Sequence, residues 1–127
     1  RLLILHNRNH LTKSKRIRSL PLNKTVFEII EKRMNASHKN NLIFTYLNEP
    51  INQQFISHKT KKLVKASGIN PKLNFHSLRH TFASWLVQRG VPIYEVSKLL
   101  GHSDIRVTQI YSHLTPDNLR SAVDILN

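Results

Sequence analysis

The 127-residue chain contains no cysteine. That excludes a disulfide framework, a thiol nucleophile and a thiolate zinc site. Its three glycines and five prolines are too few for a collagenous or low-complexity chain. No apolar run approaches the roughly 20 residues needed to span a bilayer, and no charged segment leads into an apolar stretch and cleavage site. A soluble, cytoplasmic protein without a membrane partner is therefore expected. Acids are scarce too: seven Asp and Glu stand against 20 Lys and Arg, a formal net charge of +13. None precedes Glu28 and none lies between Glu49 and Glu95, so two long stretches are purely basic. Blocks of one sign raise self-repulsion without a structural return. Nucleic acid is the expected partner, and a face charged only for solubility is the plainer alternative.

What is present organises as one domain over residues 1–127, with 39% hydrophobic content ordinary for a globular core. Residues 1–5 and 17–22 are short apolar-biased runs around a basic stretch from His6 to Arg16, which predicts an antiparallel hairpin with a charged turn. From Thr25 the period changes to that of an amphipathic helix through Val26, Ile29 and Ile30, ending near Asn35. LIFTY at 42–46 is strand-like. A basic helix follows from Asn52 through Phe55, Ile56, Leu63 and Val64, stopped by Gly68. A helical wheel from His76 to Arg89 places Leu78, Phe82, Trp85 and Leu86 on one side, with Arg79 on its flank. Gly90 ends that helix and Pro92 opens the next as its first residue, buried through Ile93, Val96, Leu99 and Leu100 and closed by Gly101. His102 thus falls in a tight corner. Ser103 or Asp104 can cap a short helix through Ile105, Val107, Thr108 and Ile110 to Tyr111, whose β-branched residues are mediocre helix formers. Thr115 caps a last amphipathic helix carrying Leu119, Ala122, Val123 and Leu126. The fold class is α+β, predominantly α-helical, with a small antiparallel hairpin on the N-terminal side.

The chemistry rests on His, Arg, Lys and Tyr. A half-buried guanidinium at Arg79 is costly unless paired. Its sequence neighbourhood holds no acid, which favours a bound anion. A phenol becomes a useful nucleophile only beside groups that take its proton or stabilise its anion, and Tyr111 shares a block with Arg and His. An ordinary core tyrosine with its hydroxyl at the surface is the alternative. His76 and His80 have the i, i+4 spacing of a metal pair, but Ser77 stands where a zinc-protease motif has Glu, and no third ligand is evident. No metal or cofactor is expected, and His80 and His113 read as structural or supporting residues.

The ordered strings TKSKRIRSLPL, HSLRH and LLGHSDIRVTQIYSH, with the tyrosine nine residues beyond the histidine of Leu-Gly-His, resemble the catalytic domain of the tyrosine recombinases, or phage integrases. The resemblance covers nearly the whole chain. It implies a helical catalytic domain acting on double-stranded DNA. Tyr111 would form a 3′-phosphotyrosyl bond, Arg79 and His102 would hold the scissile phosphate, and His76 would assist proton transfer or orient the phosphate. Lys13 matches the lysine that protonates the leaving 5′-oxygen, with Lys15 and Arg16 close by. Lys15, Arg16, Lys59, Lys61, Lys62 and Lys65 are the expected contacts to DNA. The resemblance also implies a homo-oligomer, a tetramer on DNA, with the C-terminal helix either exchanged between protomers or docked on its own chain.

One element of that pattern has no match. A further arginine, in a helix upstream of the hairpin, finds no counterpart, since Arg1 and Arg8 lie in or beside the first strand. The RLLIL start reads as a strand entered midway. The expectation is thus the C-terminal part of a catalytic domain, complete as an enzyme only with the upstream region, that breaks and rejoins DNA without metal or nucleotide in recombination or integration. The alternatives are a DNA-binding module without catalysis and a type IB topoisomerase-like relaxation activity.

Overall fold

The computed structural model describes residues 2–5, 18–36, 42–116 and 123–126. It divides into two compact units, 1–75 and 76–127. It is mostly helical with small antiparallel two-stranded sheets, the class expected from the sequence.

In the first unit, β1 (Leu2–Leu5) pairs antiparallel with β2 (Arg18–Pro21), Leu2 opposite Pro21 and Leu5 opposite Arg18. This is the expected hairpin, and its basic turn lies outside the described residues. Helix α1 (Lys24–Asn35) begins where the Asn23 side chain accepts a hydrogen bond from the Val26 amide at 2.8 Å, satisfying one of the donors orphaned at a helix start. Helix α2 (Gln53–Ala66) begins the same way, the Asn52 side chain accepting from the Phe55 amide at 2.7 Å. It stops before Gly68, at φ +64°, where a left-handed conformation suits glycine. Between the helices the strand-like stretch resolves into a hairpin, β3 (Thr45–Tyr46) with β4 (Glu49–Pro50). Leu47 and Asn48 turn it with positive φ, the requirement of the two-residue turns that match strand twist. Among the described residues of this unit, Ile30 and Val64 are the buried apolar ones.

The second unit packs α3 (Ser77–Gln88) and α4 (Ile93–Leu100) with two short 3₁₀ helices, Ile105–Val107 and Gln109–Leu114. Ala83, Val87, Val96, Leu100 and Tyr111 form the core, with Leu86, Val91, Ile93 and Leu114 against it. Of the four residues that the wheel groups on one side, Leu86 packs on this core, but Leu78, Phe82 and Trp85 are 63%, 46% and 59% exposed, while Ala83 and Val87 are fully buried. Close helix contact explains the reversal. A small side chain and a β-branched one let the backbones approach, whereas the bulky residues sit on the flank. The Arg89 guanidinium covers Trp85, 5.7 Å from its ring centre.

Both helices end in the same way. The amides of Gly90 and Val91 bond the carbonyls of Val87 and Leu86, and those of Gly101 and His102 bond the carbonyls of Lys98 and Ser97. Each is a Schellman closure with its glycine left-handed, φ +79° at Gly90 and +70° at Gly101. Pro92 sits one place earlier than expected, as the cap residue with extended ψ. The segment expected as one helix from 105 to Tyr111 is two 3₁₀ turns meeting at Thr108. Tighter, shorter turns suit a β-branched run. Of the last expected helix, Leu119 and Ala122 lie outside the described residues, and Val123 and Leu126 are exposed.

A left-handed L-residue costs about 1–2 kcal/mol. Gly101→Ala is therefore expected to lower stability by about 1 kcal/mol in urea unfolding, whereas Ser103→Ala, outside the closure, should leave it within about 0.5 kcal/mol.

Candidate active site

One face of α3 changes character along its length. Ala83 and Val87 are buried, and one to two turns earlier the same side carries Arg79, His80 and His76, residues three and four apart being neighbours on a helix. The helix therefore delivers cationic and imidazole groups to the rim of its own core.

Arg79 is half-buried, and its Nη2 donates to the Leu100 carbonyl at 2.6 Å. Leu100 is the last residue of α4, where carbonyls lack helical partners and the helix carries its negative end. The guanidinium, for which the sequence favours a bound anion, is met here by an acceptor from the closing turn of the neighbouring helix. A hydrogen bond to a charged group contributes about 1.5–3 kcal/mol, enough to hold the planar fork in one orientation.

His102 follows the Gly101 closure and is half-buried. Its Nδ1 lies 2.8 Å from the hydroxyl of Thr108, which is fully buried where the two 3₁₀ turns meet. The corner ahead of it is fixed by Asp104, whose carboxylate accepts from the Arg106 amide at 2.9 Å and from Arg106 Nε at 2.8 Å. The Arg106 side chain holds the Asp104 carboxyl below the usual carboxylate range. The stabilisation from that cap is complete above the ordinary carboxylate pKa and is lost as pH falls through the lowered one. An open pocket of about 400 Å³ runs beside His102, lined also by Tyr94, Lys98, Ser103 and Asp104.

Tyr111 is only 7% exposed and belongs to the core. Its hydroxyl lies 2.6 Å from Nδ1 of His80. His80 in turn meets His76 edge to face, ring centres 5.0 Å apart and planes at 83°. His76 itself is exposed at the N-cap position of α3, where its side chain caps no amide. The structure thus links Tyr111, His80 and His76 in a row, and Leu100, which binds Arg79, packs in the core cluster that holds the tyrosine ring.

Lys13, Lys15 and Arg16 lie outside the described residues. Lys59, Lys61, Lys62 and Lys65 are exposed on α2, in the first unit. The Lys59 ammonium stands 5.2 Å from the ring centre of Tyr46 and 5.5 Å from that of Phe55. Among the described residues no three His, Asp or Glu side chains converge as a metal site, and no helix is long and apolar enough to cross a membrane. Two contacts escaped the sequence. The His80 bond to Tyr111 had a signal in the shared helix face with His76, whereas nothing in the local pattern marks Thr108 as the partner of His102.

Comparison with known proteins gives the class. The model of the phage integrase family matches residues 1–118, and the chain belongs to that family, the tyrosine recombinases. It is 39% identical over 95 residues to a tyrosine recombinase XerC-like protein of Caldanaerobacter subterraneus subsp. tengcongensis, covering 74% of this chain and 24% of that protein. It is 33% identical over 112 residues to tyrosine recombinase XerD of Listeria monocytogenes serotype 4b, covering 81% of this chain and 38% of the relative. The chain therefore spans well under half the length of these relatives. Its fold is shared with the XerA recombinase, at TM-score 0.69 and 23% identity over 99% of this chain and 46% of the other. It is shared also with the Tn1549 transposon integrase in complex with a circular intermediate DNA, at TM-score 0.70 and 22% identity over 99% and 47%.

The Thr108 hydroxyl is replaceable by a methyl of nearly the same shape, which isolates the hydrogen bond. Thr108→Val is expected to cost about 1 kcal/mol and to move the ¹⁵N resonance of His102 Nδ1, while Thr108→Ser keeps that resonance in place. An unmoved resonance in the valine variant would show that the hydroxyl does not orient the ring.

Proposed function

We propose that this chain is the C-terminal part of the catalytic domain of a site-specific DNA recombinase, and that Tyr111 is its nucleophile. The observation that carries the reading is the buried tyrosine whose hydroxyl is held by His80 while an arginine is anchored on the same small core. In the reaction, the Tyr111 oxygen attacks the scissile phosphate and the 5′-oxygen leaves, so that a 3′-phosphotyrosyl bond conserves the energy of the phosphodiester. Arg79 and His102 supply donors to the non-bridging oxygens, where fixed cations stabilise developing charge. His76 assists proton transfer or orients the phosphate. Lys13 protonates the leaving oxygen, a task suited to a compact ammonium. A further arginine from the region preceding this chain completes the phosphate clamp.

Double-stranded DNA is the partner in this reading. Solved relatives include the XerH recombinase bound to its palindromic difH substrate. Lys59, Lys61, Lys62 and Lys65 place positive charge on one helix, and such residues position the backbone without reading sequence. The active assembly is a tetramer on DNA, with the segment after Tyr111 docking on a neighbouring protomer. The exposed Val123 and Leu126 suit that role.

A full-length recombinase carrying this chain, given a nicked duplex, is expected to form a covalent protein–DNA adduct that Tyr111→Phe abolishes, read on a denaturing gel. An adduct surviving that change removes the assignment. No adduct from the unaltered protein favours the non-catalytic module, and relaxation of supercoils without site preference favours a topoisomerase. Residues 1–127 alone are expected to cleave about 10² to 10³ times more slowly, the usual consequence of losing one stabilising donor.

The basic helix is tested by salt. Lys61→Ala, Lys62→Ala and Lys65→Ala, each removing one phosphate contact, should each weaken DNA binding at every sequence and lower the slope of log K against log salt by about 0.9. An unchanged slope excludes α2 from the DNA interface.

A further inference from the structure

The geometry points to His80 as the group that receives the Tyr111 proton during strand cleavage and returns it on rejoining. The inference rests on the reading of Tyr111 as nucleophile. His80 has no place in the phosphate clamp or in leaving-group protonation, yet it is the residue in contact with the tyrosine oxygen, at 2.6 Å from its Nδ1.

Three features support the assignment. The first is direction. With the imidazole proton on Nε2, the Tyr111 hydroxyl donates to Nδ1 along the line by which the proton would leave, and a base must stand within hydrogen-bond reach of the proton it takes. The second is restriction. The phenol ring is 7% exposed and packed among Ala83, Val87, Val96 and Leu100, so its oxygen has little freedom to reach a distant acceptor. The third is backing. The His80 ring lies edge to face with His76, 5.0 Å between centres, on a helix whose next turn, at Ala83, is fully buried.

In the step, the Tyr111 oxygen forms its bond to phosphorus while its proton passes to His80 Nδ1. The bond from phosphorus to the 5′-oxygen breaks, its electron pair leaves on that oxygen, and the Lys13 ammonium protonates it. Rejoining runs the sequence backwards: the 5′-hydroxyl attacks, Lys13 recovers its proton, and His80 returns the first proton to the departing phenolate.

The test uses the full-length recombinase under single-turnover conditions on a nicked duplex. His80→Ala is expected to slow adduct formation about 10²-fold, the lower range for general acid–base catalysis, with DNA affinity unchanged. Free imidazole added to His80→Ala should restore a substantial part of the rate, rising with imidazole concentration, and should leave Tyr111→Phe inactive. A lost packing contact has no such dependence. A His80→Ala rate within twofold of the unaltered protein overturns the proposal. So does a slow rate that imidazole leaves unchanged, which reduces His80 to packing. If the unaltered protein forms an adduct that survives Tyr111→Phe, the nucleophile assignment fails instead, and the two failures are thereby told apart.

Discussion

A tyrosine ring buried among aliphatic side chains must keep its hydroxyl satisfied, because an unpaired buried hydroxyl costs about 1–3 kcal/mol. In the second unit Tyr111 meets this condition through His80, and the other features follow from it. The ring packs against Ala83, Val87, Val96 and Leu100, which fixes the second 3₁₀ turn against α3 and α4. The oxygen then sits at the polar end of the buried face of α3. The aromatic body thus serves stability while its oxygen is held by His80, a division that an amphipathic residue makes possible.

The helix ends carry the remaining precision. Gly101 closes α4 and turns the chain so that His102 enters the corner with its amide already bonded to Ser97. The carbonyl of Leu100, one residue earlier, receives Arg79. A single helix terminus therefore orients both an imidazole and a guanidinium. Backbone groups are well suited to this, since the main-chain geometry of a closure varies less than a side-chain rotamer.

Much of this was legible in the sequence because it depends on local rules. The closures at Gly90 and Gly101 and the antiparallel hairpin follow from residue types at element ends. That His76, Arg79, His102 and Tyr111 fall within one block of the sequence is read from the motif order. The misread parts depend on tertiary packing. Hydrophobicity alone put Leu78, Phe82 and Trp85 in the core, whereas close helix approach selected Ala83 and Val87. The run from Ile105 to Tyr111 carries β-branched residues that fit neither a long helix nor a strand, and two tight turns emerged. Thr108 escaped because its partner is six residues away around a corner that no periodicity describes.

His80 shows why a residue without a role in a motif can still be central to a site. Counted along the sequence it is the second histidine of a metal-like pair, with a supporting role. In space its Nδ1 stands 2.6 Å from the Tyr111 oxygen. The difference arises because helical spacing tells which residues share a face but not which neighbour supplies the partner. Here the partner comes from a 3₁₀ turn 31 residues later, held in position by the burial of its own ring. The packing that makes Tyr111 a core residue is therefore the packing that presents its hydroxyl to His80.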